Sequence, residues 1–196
     1  MAAVDQLSDK GAVMKYVEHM IQVLKMDSTV YQVLASIRLP LRYAMINVTL
    51  LGLIYGVASI QFATALLARQ PGAAASFNPL MIFMAGLSIA FFMHGGLSLF
   101  VWVFCRGMGG NEQFMPTYLA IGIAAIGLWP LAPALSAFQS GAFGAVLAGY
   151  VMVATLYGAS VIVVAVRAAS GLSTVKMALA AAATVGYVGC FLYLWL

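Results

Sequence analysis

Polar residues in this chain gather into short clusters, and between the clusters run long apolar stretches. The stretches cover about residues 41–67, 80–105, 116–137, 142–166 and 175–196, with charged side chains confined to their ends. Each is near the roughly 20 apolar residues a helix needs to cross a hydrocarbon core about 30 Å thick. The clusters carry turn chemistry: Arg69-Gln-Pro-Gly, Asn78-Pro79, the glycine-dense run from Gly107 to Pro116, Gln139-Ser-Gly141, and Arg167 to Thr174. The pattern predicts an all-α integral membrane protein with five transmembrane helices. Pro116 suits the first turn of the third span, and Trp129-Pro-Leu-Ala-Pro133 predicts a kink or early end near its far end.

Ahead of the first span the periodicity is amphipathic. From Lys10 to Lys25 the residues Val13, Val17, Met20, Ile21 and Leu24 recur at helical spacing, with Lys15, Glu18, Gln22 and Lys25 on the other face. Asp27-Ser-Thr29 followed by Gln32 is a cap signal. Val30, Val33, Leu34 and Ile37 then form a second stripe that stops at Pro40. Such helices either rest on the membrane face or pack under the bundle. The chain therefore divides into a cytoplasmic amphipathic segment, 1–40, and a five-helix transmembrane domain, 41–196.

Composition sharpens this reading. With 64% hydrophobic and 7% charged residues and a mean hydropathy of +1.04, a soluble domain is excluded. The net charge of +4 would suggest nucleic acid in a soluble protein, but here the basic residues sit at span ends and meet anionic headgroups. Five spans put Lys10, Lys15, Lys25, Arg38, Arg42, Arg106, Arg167 and Lys176 on one side and Arg69 alone on the other. The positive-inside rule then places the amino terminus in the cytoplasm and the carboxyl terminus outside. The first ten residues are neither apolar nor Arg-rich, so no cleaved targeting peptide is expected. Tyr43, Trp102 and Tyr118 would form one aromatic belt, and Trp129, Tyr193 and Trp195 the other.

Small residues at spacings of four predict close helix contacts: Gly52 and Gly56 in the first span, and Ala178, Ala182, Gly186 and Cys190 in the fifth. Gly86, Ala90, His94 and Ser98 share a stripe of the second span that should face protein. His94 is the sharpest chemical candidate, because an ionisable group deep in a span requires a partner. Gly95 and Gly96 beside it would leave room for a flat ring, making His94 a candidate axial ligand to haem or chlorophyll. A lone intramembrane histidine more often bonds a neighbouring helix, here through Asn47 or Tyr157.

Asn47, Thr49, Ser59 and Gln61 could line a pathway in the first span or bond across helices. No Asp or Glu falls inside a predicted span, which argues against proton-coupled transport. Cys105 and Cys190 sit at different depths and are not expected to pair. No CxxC, HExxH or metal-spaced Cys/His cluster is present, and Gly107-Met-Gly-Gly110 lacks the following GK[ST] of a phosphate loop. Arg106 and Glu112 could pair across that turn or recruit a cytosolic partner.

Two stretches resemble the Yip family, polytopic proteins recognised as interactors of Ypt/Rab GTPases and having many bacterial members. One is Gly109-Gly110 with Phe114 and the downstream Pro133. The other is Tyr157-Gly158 leading into Ala169-Ser-Gly-Leu-Ser-Thr-Val-Lys176, similar to the family's glycine-leucine-serine turn before its last helix. Ser170 stands where relatives often carry His, and Tyr157 where they often carry Trp. The long amino-terminal region of eukaryotic members is replaced by about forty residues, which points to a bacterial inner-membrane type. The resemblance implies five spans and a non-enzymatic membrane organiser or adaptor. Its contacts would be the lipid bilayer and other membrane subunits or a cytosolic protein, through Arg106, Gly109, Gly110, Glu112, Gly52, Gly56 and Gly186. An accessory subunit of a respiratory or photosynthetic complex, and a small transporter or channel, are the alternatives.

Overall fold

A computed structural model describes residues 2–36, 40–68 and 78–195, and all secondary structure among them is helical. The amino-terminal hairpin consists of α1 (Ala2–Leu24) and α2 (Thr29–Ser36). Three long helices follow: α3 (Pro40–Leu67), α4 (Pro79–Gly107) and, later in the chain, α7 (Ala145–Ser170). Between α4 and α7 lie α5 (Phe114–Ala124), a 3-10 turn over Ala125–Leu128, and α6 (Leu131–Gln139). The last helix is α8 (Thr174–Trp195). Arg38 and the Arg69-Gln-Pro-Gly turn fall outside the described residues.

By length and hydropathy α3, α4 and α7 are each able to cross a membrane, which marks an integral membrane protein. The segment from Phe114 to Gln139 makes a fourth crossing only if its two parts count as one span, because they meet at 71°. The break begins upstream of the prolines. Pro130 has no N–H to give and its ring crowds the carbonyl of Ile126, so the preceding turn tightens: Ala125 bonds Gly122 and Trp129 bonds Ile126, three residues back. Described α8 is apolar from Thr174 to Gly186 but shorter than a span over that stretch.

Several boundaries differ from those the pattern predicts. The first helix reaches back to Ala2 rather than Lys10, and α7 continues four residues past 166, to Ser170. Gly171, at φ 66°, then stops it in the left-handed region where glycine carries no Cβ penalty. At the start of α4 the Asn78 side chain accepts from the N–H groups of Leu80 (3.1 Å) and Met81 (3.3 Å), with Pro79 at the first helical position.

The bundle is built around α5. From Ala120 to Gly127 every residue is buried, so this segment has neighbours on all its faces. Those neighbours are α3, α4 and α7, with α1 closing the remaining side, while α2 touches both α3 and α7. Met20, Val23, Val30 and Leu34 of the hairpin are part of the same core as Ile121, Ile123, Val161 and Ala165. The inner half of the amino-terminal segment thus packs on the bundle rather than lying free on a membrane.

Candidate functional site

Three places in the bundle concentrate polar chemistry. At the first, Asn47 of α3 bonds three other elements. Its Oδ1 accepts from the Tyr16 hydroxyl of α1. Its Nδ2 donates to the Ile123 carbonyl at 2.7 Å and lies 3.2 Å from the Met20 sulfur. Its own carbonyl accepts from Trp129 Nε1 at 3.1 Å. Ile123 lies just before the bonding pattern tightens, so an acceptor in the core meets the one amide side chain of α3 that can reach it. Tyr16 stacks edge-on against Tyr43 at 4.9 Å, and His19 Nδ1 lies 3.3 Å from the Tyr43 hydroxyl. Burial raises the Tyr16 pKa, with Tyr43 adding to the shift, so the hydroxyl stays a neutral donor. The Tyr157 hydroxyl donates to the Leu24 carbonyl at 2.7 Å, clamping the end of α1 halfway along α7.

The second place is His94. It is 6% exposed, and Gly86, Ala90 and Ser98 on its stripe are buried with it. Its ring lies 4.3 Å from that of Tyr118, and Nδ1 is 3.4 Å from Ser98 Oγ. Neither Asn47 nor Tyr157 is its partner, because α1 occupies both. Nε2 is buried without a hydrogen-bond partner among the described residues, as is the Tyr31 hydroxyl of α2. A porphyrin does not fit here. The space beside the ring is closed by Gly122, where an added Cβ would come 3.1 Å from His94 Cε1 and 2.6 Å from the Ala44 Cβ. Gly95 does face open space, but the imidazole is buried against Tyr118 and Gly122.

The third place is the end of the bundle where the two glycine-rich turns meet. Asn111 N–H donates to the Ser170 carbonyl at 3.1 Å, and Asn111 Nδ2 to the Ala169 carbonyl at 3.3 Å. Lys176 Nζ donates to the Met108 carbonyl at 2.6 Å. Cys105 is buried at the end of α4, where this turn packs. Gly109 has φ 85°, and a Cβ on Gly110 would come within 2.9 Å of the Cys105 carbonyl and 3.3 Å of the Ser170 carbonyl. Both positions therefore demand glycine, one for its backbone angle and one for the approach of the neighbouring turn.

Arg106 and Glu112 are exposed on this end, but neither reaches for the other. The Arg106 guanidinium lies over the Trp102 ring at 5.4 Å, and Trp102 Nε1 donates to the Glu112 carbonyl at 3.3 Å. Arg167 Nη2 donates to Thr174 Oγ1 at 3.3 Å on the same end.

The remaining sequence candidates spread apart. Gly52 and Gly56 lie against α4, where Cβ atoms would meet Leu87 Cα at 2.9 Å and the Phe83 carbonyl at 3.1 Å. Gly186 has open space at its would-be Cβ, and Ala178, Ala182 and Cys190 are exposed with it. Ser59 accepts from Ser136 at 3.0 Å, Gln61 is exposed, and Thr49 lines an open apolar depression of about 350 Å³ with Met45, Ile46 and Leu50. These polar groups of α3 do not converge on a path.

Tyr43, Tyr118 and Trp129 turn inward to Tyr16, His94 and Asn47 rather than forming belts, since each finds its contact inside the bundle. The side chains of Tyr193 and Trp195 lie outside the described part. The Asn111 contacts and the Leu24 carbonyl escape sequence reading, because their partners are backbone atoms. The glycine-dense run from Gly107 to Pro116 marks the turn but not what Asn111 would bond. No family model, no curated protein and no solved structure matches this chain.

Proposed function

We propose that the protein is a Yip-like, non-enzymatic membrane organiser or adaptor of the bacterial inner membrane, with five spans, a cytoplasmic amino terminus and an external carboxyl terminus. The observation that carries the reading is the docking of the two turns on which the resemblance rests. Gly109-Gly110 and Ala169 to Lys176 are 59 or more residues apart in sequence, yet Asn111 and Lys176 tie them into one surface. A rigid double turn presenting Arg106, Glu112 and Arg167 is suited to holding a partner. Five spans require the Phe114–Gln139 pair to cross as one broken helix and α8 to complete the last crossing.

Two measurements test this. In a chain carrying Cys190→Ala, a thiol probe at Glu112→Cys should react only after the membrane is permeabilised, while a carboxyl-terminal tag should be reachable from outside. Extraction in a lipid-preserving polymer should bring down a defined membrane or cytosolic companion that is lost in Arg106→Ala/Glu112→Ala. A companion retained in that variant would sink the double turn as the working surface.

One observation favours a second reading, the accessory subunit of a larger membrane complex. The small-residue face of α8 from Ala178 to Cys190 is exposed, the kind of face that admits a neighbouring helix. Stoichiometric integral-membrane companions that crosslink through Cys190 would favour it over the adaptor.

A further inference from the structure

The apolar side of α1 is wider than its contact with the bundle. Successive residues of a helix turn by about 100°, so its positions sort into three arcs. Tyr16, Met20 and Val23 face α3 and the core. In the next arc Val13, Met14, Val17 and Ile21 are 58%, 73%, 48% and 46% exposed. The third arc holds Lys15, Glu18 and Gln22, with Lys25 just beyond the helix end, and all three charged residues are exposed. A helix free in water has no use for an apolar arc that touches nothing. A helix wholly inside hydrocarbon could not carry the charged one.

We infer that α1 is a clamped wedge whose exposed turns lie in the headgroup–acyl boundary of one leaflet, with Val13, Met14, Val17 and Ile21 in the acyl region, Lys15 and Glu18 in water, and its last turn dipping inward to the clamp on α7. The occupant of the apolar arc is the phospholipid bilayer. An in-plane helix needs an apolar arc beside a charged one, and that is the order found here. The exteriors of the spans are apolar in the same way, with Leu41 and Met45 of α3 exposed.

Ordinary interfacial helices are tethered by a loop and can leave the membrane. This one is held by Tyr16 to Asn47 and by Tyr157 to its last carbonyl, so it cannot withdraw without breaking the core. Volume fixed in one leaflet and absent from the other favours membranes whose outer lipids are already splayed, and interfacial helices are curvature-sensitive for this reason. The inference rests on the membrane-organiser reading and gives it a means: the protein collects on, or promotes, curved membrane.

The test uses the full chain with Cys105→Ala and Cys190→Ala, reconstituted in phosphatidylcholine–phosphatidylglycerol vesicles. A polarity-sensitive fluorophore on Val17→Cys should emit as in hydrocarbon and be quenched by brominated lipid, as should the span control Met152→Cys. Glu18→Cys should report water and escape quenching. Labelled protein should also be denser on small vesicles than on large ones, with that enrichment lost in Val17→Ser/Ile21→Ser, whose sites are too exposed to be needed for folding.

A water-like Val17 signal overturns the inference, as does one that shifts only when a second copy or another protein is added. Quenching without size preference overturns the wedge. Companion capture by the double turn is read separately, so the adaptor proposal can stand while the wedge fails, or the reverse.

Discussion

Asn47 and His94 are both polar side chains buried in the heart of the bundle, yet they are served differently. Asn47 has both ends of its amide engaged, by a tyrosine from α1, a methionine sulfur and a carbonyl where the α5 bonding pattern changes. His94 has one long contact to Ser98 on its own helix, a ring against Tyr118, and a second nitrogen with no hydrogen-bond partner among the described residues. The difference lies in the neighbours rather than in the two residues. A broken helix exposes a carbonyl and an extra helix brings a hydroxyl, so Asn47 becomes a clamp. Gly122, which packs against His94, has its carbonyl taken by the Ala125 N–H, so no backbone acceptor is left for the imidazole and it finds only side chains.

The comparison is broken most directly at the clamp. Asn47→Leu leaves the Tyr16 hydroxyl and the Ile123 carbonyl buried without partners, each costing about 1–3 kcal/mol. A total loss of about 3 kcal/mol is expected for the two together, read as a shift in the SDS-unfolding midpoint in mixed micelles. An unchanged midpoint would mean that α1 is not held by this network. The next effect is at the other pole. Gly122→Ala pushes a methyl group against Ala44 and His94, and overpacking of this kind costs about 1–3 kcal/mol. Because Ala44 blocks it as much as the imidazole does, His94→Ala should restore only part of the loss, measured by the same unfolding curve as a double-mutant cycle.

A smaller change separates clamp from bundle. Tyr16→Phe keeps the edge-on contact with Tyr43 but removes the donor to Asn47, at a cost of about 1 kcal/mol. The expected readout is faster tryptic cleavage at Lys15 and Lys25, with little change at the long helices. Equal acceleration throughout would mean that α1 and the bundle open together and that the hairpin is one unit with the spans.

The three long helices were legible because a run of apolar residues of bilayer length has few other uses. The stripe from Gly86 to Ser98 was legible because spacing by four fixes a helix face whatever lies opposite. What lies opposite was not. Gly52 and Gly56 pair with α4, while Gly186 carries the same pattern and meets nothing among the described residues, since the pattern states only that an approach is allowed. The Asn47 network stayed hidden because the acceptor at its centre, the Ile123 carbonyl, lies at a helix break, and the break starts at Ala125, before the prolines that cause it. The apolar stripe of α1 read as one membrane face, whereas Tyr43 and Asn47 of α3 claim Tyr16 and leave Val13 and Val17 outside.

The smallest expected effect is the one that tests the other half of the comparison. In His94→Leu the weak Ser98 contact and the ring stacking on Tyr118 are lost, the latter contributing about 0.5–1 kcal/mol. Against this, a buried nitrogen with no partner disappears, and relieving such a group recovers about 1–3 kcal/mol. The two roughly cancel, so the unfolding midpoint should move by less than about 1 kcal/mol in either direction. A large loss would reveal a partner for Nε2, such as an ordered water or a bound lipid group, and would make His94 a served site like Asn47. A clear gain would mean that the protein holds a destabilising imidazole in its core. Such a cost is retained where the group has a use, and attention would then move from the double turn to this pocket.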